Sequence, residues 1–487
     1  MDISYGALSL AVNEKCGDEL LVETSVDTTE RGGASKVVSL EAEAKGVSVE
    51  LLDGEAEVSG KVDYRLIYLD RQGRLCGLDY FKDFKSRVKG AEITPTGRAA
   101  VKYLIPDAEA RISGDEITLS AVVDILLEYD GEIEKPCVTS VEGAETLAVE
   151  VVTEKVERRE RTIALDKVAD VGLGVKKIVL FRVDCMPINV VRDGAGTTAS
   201  GEVRGTILYM NEADEITELT VSIPFSEGVE GDADDYAAAV KSARVVLTDD
   251  EEGNSVEVEA TVILTEIIRH DLVQSTIAAA CAGRMALEEK AEKVCRAHFV
   301  GRKCYEEPLG GSVSLEESGE GVAFVRPGSY AIAGVSVGHG EIKVEGVSAF
   351  RIALIAQEGY DAVSAELPFV YVLPFAEAEQ GMTAEVEFVV TDAVGSLRGK
   401  DLSISAKAHL EVRLYEDRCC SYLTEIVEGT EAEDNGAGIS VYFAEQGEDL
   451  WSIAKNVGVL PSVLLKANPF LAEPLDESRK VLVFRQK

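Results

Sequence analysis

Residues 117–128 read Ile-Thr-Leu-Ser-Ala-Val-Val-Asp-Ile-Leu-Leu-Glu, and their apolar side chains fall at every second position from Ile117 through Leu119, Ala121 and Val123 to Ile125. A period of two is the mark of a strand with one packed face and one wet face. The same alternation returns at Val256, Val258, Ala260, Val262 and Leu264, and again at Leu402, Ile404, Ala406, Ala408 and Leu410, displaced by 139 and 146 residues. A second anchor lies upstream in each copy. Gly60-Lys-Val-Asp-Tyr-Arg-Leu-Ile-Tyr-Leu recurs as Gly201-Glu-Val-Arg-Gly-Thr-Ile-Leu-Tyr-Met and as Gly346-Val-Ser-Ala-Phe-Arg-Ile-Ala-Leu-Ile, at offsets of 141 and 145. Two anchors that keep nearly the same spacing indicate a tandem triplication. Turn signals such as Asp53-Gly54, Gln72-Gly73, Asp130-Gly131 and Asp193-Gly194 separate the strand-like runs, so each copy reads as an antiparallel β domain, with a sandwich as its natural closure.

The fold class expected is therefore mainly β: three tandem antiparallel β-sandwich-like repeats over 1–148, 149–275 and 285–427, and a different tail. Between the second and third copies, Ile277 to Lys293 is rich in Ala, Glu and Lys. That composition suits a linker helix, whereas the match of Glu292-Lys-Val-Cys-Arg to Glu14-Lys-Cys and Glu157-Arg-Arg suits a strand opening; both readings stand at this stage. Residues 428–439 are acidic and glycine-rich, as a solvated tether would be.

The chain has 487 residues, with 49 Lys and Arg against 88 Asp and Glu, a formal net charge of −39. Such a surface repels nucleic acid and anionic lipid. The tail, residues 440–487, has six acidic and six basic residues, so the whole excess sits on the body. No run is long and apolar enough for a membrane-spanning helix, and the opening Met-Asp-Ile-Ser-Tyr lacks the basic and apolar parts of a secretory signal. Nine cysteines without a Cys-x-x-Cys pair suggest free thiols in a reducing compartment. The location expected is cytoplasmic.

The tail pattern is strand, helix, helix, strand. Val441 to Phe443 open it, Asp449 caps a helix whose apolar face is Leu450, Ile453, Ala454 and Val457, Gly458 stops that helix, Pro461 starts a second, Asn468-Pro469 ends it, and Val481 to Phe484 close the sheet. Gly447-Glu-Asp-Leu-Trp-Ser-Ile-Ala-Lys and Leu465-Lys-Ala-Asn-Pro-Phe-Leu closely resemble the LysM domain. The three repeats resemble SPOCS domains of endospore-forming bacteria, and three of these before one LysM domain is the arrangement of the SipL-like spore-coat morphogenesis family of clostridia. The third repeat departs from the pattern, with Leu354 in place of the tyrosine at Tyr68 and Tyr209.

The resemblance implies a non-enzymatic adaptor in the mother cell, recruited to the forespore surface. Its LysM domain would dock onto stage IV sporulation protein A, the ATPase that polymerises as the coat basement layer. The alternative implied by LysM domains at large is a wall protein binding N-acetylglucosamine chains of peptidoglycan or chitin type. Carried over, the binding groove runs between Gln446, Gly447, Glu448, Asp449, Leu450 and Trp451 on one side and Asn468, Pro469, Phe470 and Leu471 on the other. Asp449 stands where LysM domains commonly carry Thr or Ser, and Ser478-Arg479 replaces a frequent Gly-Gln turn. The departure at Asp449 counts against a glycan ligand, because a desolvated carboxylate facing sugar needs donors.

Three other constellations carry possible chemistry. Gly334-Val-Ser336-Val-Gly338 has the form of a nucleophile elbow, with His339, Asp361 and His409 as nominal partners, yet the run after it alternates like a strand where an elbow needs a helix. Cys281, Cys295, His298 and Cys304 could gather around zinc, although only Cys295 and His298 have ligand-like spacing. Gly172-Leu-Gly174-Val-Lys-Lys177 lacks the remaining glycine and the Lys-Ser/Thr of a phosphate loop. No catalytic residue, metal or cofactor is expected.

Overall fold

A computed structural model describes residues 1–485 except 172–173, 195, 213–215, 249–254, 316–318, 357–359, 432–437 and 473. Gly172 and Leu173 of the presumed turn, and 432–437 of the expected tether, thus lie outside the described residues.

The first repeat contains β1 (Asp2–Asp27), β2 (Ala34–Leu52), β3 (Glu55–Asp70), β4 (Leu75–Lys89), β5 (Arg98–Ser113) and β6 (Glu116–Glu142). They form two antiparallel sheets, ordered β1-β6-β5 and β2-β3-β4. The second repeat runs β7 (Glu145–Asp170), β8 (Val175–Cys185), β9 (Asn189–Asp193), β10 (Gly196–Asn211), β11 (Ile216–Val229), β12 (Asp235–Leu247) and β13 (Ser255–Cys281). Its sheets are β7-β13-β12 and β8-β10-β11, with β9 pairing β10 beyond the break at Pro187. The third contains β14 (Met285–Ser314), β15 (Gly321–Val337), β16 (Glu341–Ile355), β17 (Tyr360–Pro374), β18 (Thr383–Arg398) and β19 (Asp401–Glu431), ordered β14-β19-β18 and β15-β16-β17. One topology is used three times.

In each repeat a core joins the two sheets, and the alternating residues of the recurrent run form its floor, from Ile117 to Ile125, Val256 to Leu264 and Leu402 to Leu410, all buried. The recurrent glycine also has a physical role. Gly60, Gly201 and Gly346 lie opposite Phe84, Phe225 and Phe369 on the neighbouring strand, and a β-carbon at any of the three would come within 2.5 Å of the ring. The missing side chain lets each phenylalanine lie across the strand into the core.

The repeats close around a pseudo-threefold axis. At one end Val38, Val179 and Phe324 meet Ile67, Leu208 and Ala353, each set related by the 141 and 145 offsets. At the other, the first and last strands of each repeat run on past the sandwich as a two-stranded ribbon, and the three ribbons pack into a stalk. Its core is again made of symmetry mates: Val138, Ile277 and Leu423, then Val141, Ala280 and Ile426. Farther in, Leu8, Val151 and Val294 surround Cys137 and Tyr422. This stalk explains strands of 26 to 31 residues, far longer than the usual five or six.

Ion pairs stitch all three interfaces. Arg158 reaches Asp130 and Glu128, Lys15 and Lys102 reach Glu385 and Glu387, and the fully buried Asp235 accepts from Arg413 Nε at 2.8 Å, with Arg302 and Arg269 at 3.6 and 3.7 Å.

One open sequence reading is decided and two expectations change. The segment 277–293 is strand: β13 ends at Cys281 and β14 begins at Met285, a tight hairpin whose pairing overrides the helical propensity of the Ala, Glu and Lys residues. The boundaries at 148, 275 and 427 fall inside β7, β13 and β19, because the ribbons continue the repeats. The cysteines are not all free: Cys295 and Cys419 stand directly opposite in the β14/β19 register, with Cα atoms 4.1 Å apart, and form a disulfide. A separation of 124 residues hides that proximity from the sequence. No helix among the described residues is long and apolar enough to cross a membrane.

Candidate functional site

The tail folds as β20 (Ile439–Ala444), α1 (Leu450–Val457), α2 (Pro461–Ala467), a short 3-10 turn (Pro469–Ala472) and β21 (Arg479–Phe484). Asp449 is the cap of α1, its carboxylate accepting from Ser452 N at 2.7 Å, and Gly458 ends the helix in the left-handed region at φ 67°. Pro461 occupies the first turn of α2. The helices cover the inner sheet face, where Ala444, Val481 and Val483 pack with Ile453, Ala454, Val457, Leu464 and Leu471.

The loops before α1 and after α2 come together. Gly447 N donates to Leu475 O at 2.8 Å, and Leu475 N to Glu448 O at 3.1 Å. Gln446, Gly447, Pro469 and Phe470 are exposed, and the Arg479 guanidinium stands 5.6 Å from the Phe470 ring centre. The other groove positions have internal work. Glu448 accepts from Tyr442 Oη at 2.8 Å and from Glu445 N at 2.7 Å, which raises the Tyr442 pKa. Leu450 and Trp451 lie half-buried against the core. Asn468 and Leu471 are interior, and Asn468 bridges to Leu464 O, Leu482 O and Leu482 N at 3.0, 2.7 and 2.8 Å. Those two residues shape the loop and present no polar group to a ligand.

A larger free surface lies on the outer face of the same sheet, which the sequence reading passed over. Ile439, Val441 and Phe443 on β20 stand opposite Phe484, Leu482 and Lys480 on β21. All five apolar side chains are exposed, Phe443 to 69%. Alternation in both strands placed Val481 and Val483 inward; the signal available was that the outward positions are apolar as well. Contiguous exposed apolar surface of this kind marks interaction sites in soluble proteins.

The tail is not free of the body. Cys281 at the end of β13 belongs to the tail's core and its thiol lies 3.6 Å from Val459 O. Glu145 accepts from Ser462 N at 2.8 Å and from the Ser462 hydroxyl, while Glu289 pairs with Lys455. The α1–α2 connection thus sits on the stalk tip, and the grooved loops and the outer sheet face remain open. Among the described residues the tail is a unit seated on the body.

The remaining constellations disperse. Ser336 lies within β15 opposite Lys343, Asp361 pairs with Lys36, and the His409 ring bonds the Thr391 hydroxyl at 2.9 Å. Cys295 is in the disulfide, Cys281 in the tail core, and Cys304 beside Ile188 O. His298 instead faces Glu154 and Asp271.

No family model, no curated protein and no solved structure matches this chain. The site is read from its own geometry.

Proposed function

We propose that this chain is a non-enzymatic adaptor of endospore coat assembly, whose LysM-like tail docks onto stage IV sporulation protein A at the forespore surface. The observation that carries the docking part of this reading is the tail's arrangement: a small neutral unit fixed on the end of an acidic threefold body, with an apolar sheet face and an aromatic loop turned outward. The repeats supply a rigid scaffold, and the tail supplies the contact. Attached to a surface polymer, many such chains would bind with high avidity, since each holds its neighbours' partners at high local concentration.

The identity of the partner rests on the resemblance of the tail and repeats to the SipL-like family. The glycan alternative draws on the exposed Phe470 ring, a platform on which a sugar could stack. Against it stand the internal commitments of Glu448, Asp449 and Asn468, which leave few polar groups to orient a saccharide. The Cys295–Cys419 disulfide is the feature least in keeping with a reducing compartment.

A fluorescent fusion followed through sporulation tests the proposal: a shell around the forespore is expected, and a uniform signal in vegetative cells overturns it. Pelleting of the full chain with peptidoglycan or chitin would transfer support to the glycan reading.

A further inference from the structure

The three interfaces between repeats differ at one place, where Val12, Lys155 and His298 are equivalent in register and face Asp417, Glu132 and Asp271 respectively. Where the first and second repeats meet, Lys155 on β7 pairs with Glu132 on β6. The register-equivalent positions at the next interface hold His298 on β14 and Asp271 on β13. An extra carboxylate is present there too: Glu154, directly opposite Asp271, occupies the position held by Ala11 and Ala297 in the other ribbons. Compared with the first interface, a lysine cation is replaced by an imidazole and an acid is added.

The geometry of the replacement is open in the middle. His298 Nδ1 stands 3.9 Å from Glu154 Oε1 and 3.9 Å from Asp271 Oδ1, too far for hydrogen bonds. All three atoms lie within 4.8 Å of one another, so an ion between them sits about 2.5 Å from each and reaches the 2.0–2.2 Å of zinc ligation after a closure of a few tenths of an ångström. Arg269 Nε lies 3.3 Å from the other Glu154 oxygen, and Phe299 N donates to Oε1 at 3.4 Å, so the carboxylate is held in place. His298 is 3% exposed, and its Nε2 has no hydrogen-bond partner among the described residues. Asp271, 57% exposed, is the solvent-facing member of the three.

We propose that Glu154, Asp271 and His298 bind a divalent transition cation of the zinc class, which clamps the second repeat to the third where the first interface uses a lysine. One imidazole and two carboxylates are a donor set suited to such an ion. Bound only by the folded state, it stabilises the body by mass action.

The test is calorimetric titration of Zn²⁺ into the full chain after chelator treatment and dialysis, with thermal unfolding measured in parallel. One equivalent bound and a higher midpoint are expected, with at least tenfold weaker binding and no midpoint rise for Asp271→Asn, a largely exposed position that leaves the fold intact. His298→Lys, which recreates the pairing of the first interface, is expected to be folded by circular dichroism and indifferent to zinc. Absence of binding, or equal affinity in wild type and Asp271→Asn, overturns the proposal.

Discussion

Replacing Phe443 by serine separates docking from folding. The ring is 69% exposed and lies on the outer sheet face, where its neighbour is Lys480, whose ammonium stands 5.6 Å from the ring centre. Its loss should change the stability of the tail by no more than about 0.5 kcal/mol, as for most surface substitutions. If a partner covers this face, the same change removes roughly 140 Å² of apolar contact, taking about 200 Å² for a phenylalanine side chain. At about 25 cal/mol per Å² that sets an upper value near 3.5 kcal/mol, and about 2–3 kcal/mol once imperfect burial is allowed for, or roughly 30- to 150-fold in Kd. Calorimetry or surface binding of the full chain to purified stage IV sporulation protein A reads the affinity, and thermal unfolding reads the stability. An unchanged Kd would refute the sheet face as the docking surface, and a large fall in stability would refute the description of Phe443 as a bystander to folding.

Three further outcomes follow from the geometry. Asp235→Asn removes the buried charge that Arg413 shares with Glu411 and Glu387 and should lower the unfolding free energy by about 1–3 kcal/mol, measured by denaturant titration; an unchanged stability would mean that the two remaining carboxylates suffice. Burial works against the Glu387 carboxylate, but Lys102 and Arg413 outweigh it and hold the pKa at about 2. A folded pKa below the unfolded one gives stability that is present above about pH 4.3 and lost as pH falls toward 2; thermal midpoints across that window should fall less in Glu387→Gln. Asn468→Ala removes three buried hydrogen bonds and should destabilise the tail by about 2–3 kcal/mol, so any loss of partner binding there should track unfolding of the tail by circular dichroism.

Much of the fold was legible because it is written in periodicity. Ile117 to Ile125 and their two copies alternate strictly, and a strand with one buried face has no other way to be encoded. The offsets of 139 and 146 residues reappear as the triples of the stalk core, so the triplication was readable although its closure about an axis was not: Val138, Ile277 and Leu423 carry no local sign of meeting one another. The hairpin at 281–285 stayed undecided between helix and strand because Ala, Glu and Lys favour a helix in isolation, while pairing with β7 and β19 decides the outcome. In the tail, Asp449, Gly458 and Pro461 announced the helix ends, since capping chemistry is local. The candidate face was half visible. The loop residues were named, but Asn468 and Leu471 proved interior, and the exposure of Val441, Phe443 and Leu482 depends on which sheet face the helices cover, a tertiary fact. His298, Glu154 and Asp271 lie on three strands of two repeats and become neighbours only once the repeats close.

The central claim is that the tail makes the contact and the threefold body carries it. Its most direct test is co-purification of stage IV sporulation protein A with the full chain and with a chain ending at Glu431, the last residue of β19. Capture by the full chain and none by the shortened one is the predicted result. Equal capture by both, or by neither, would contradict the account.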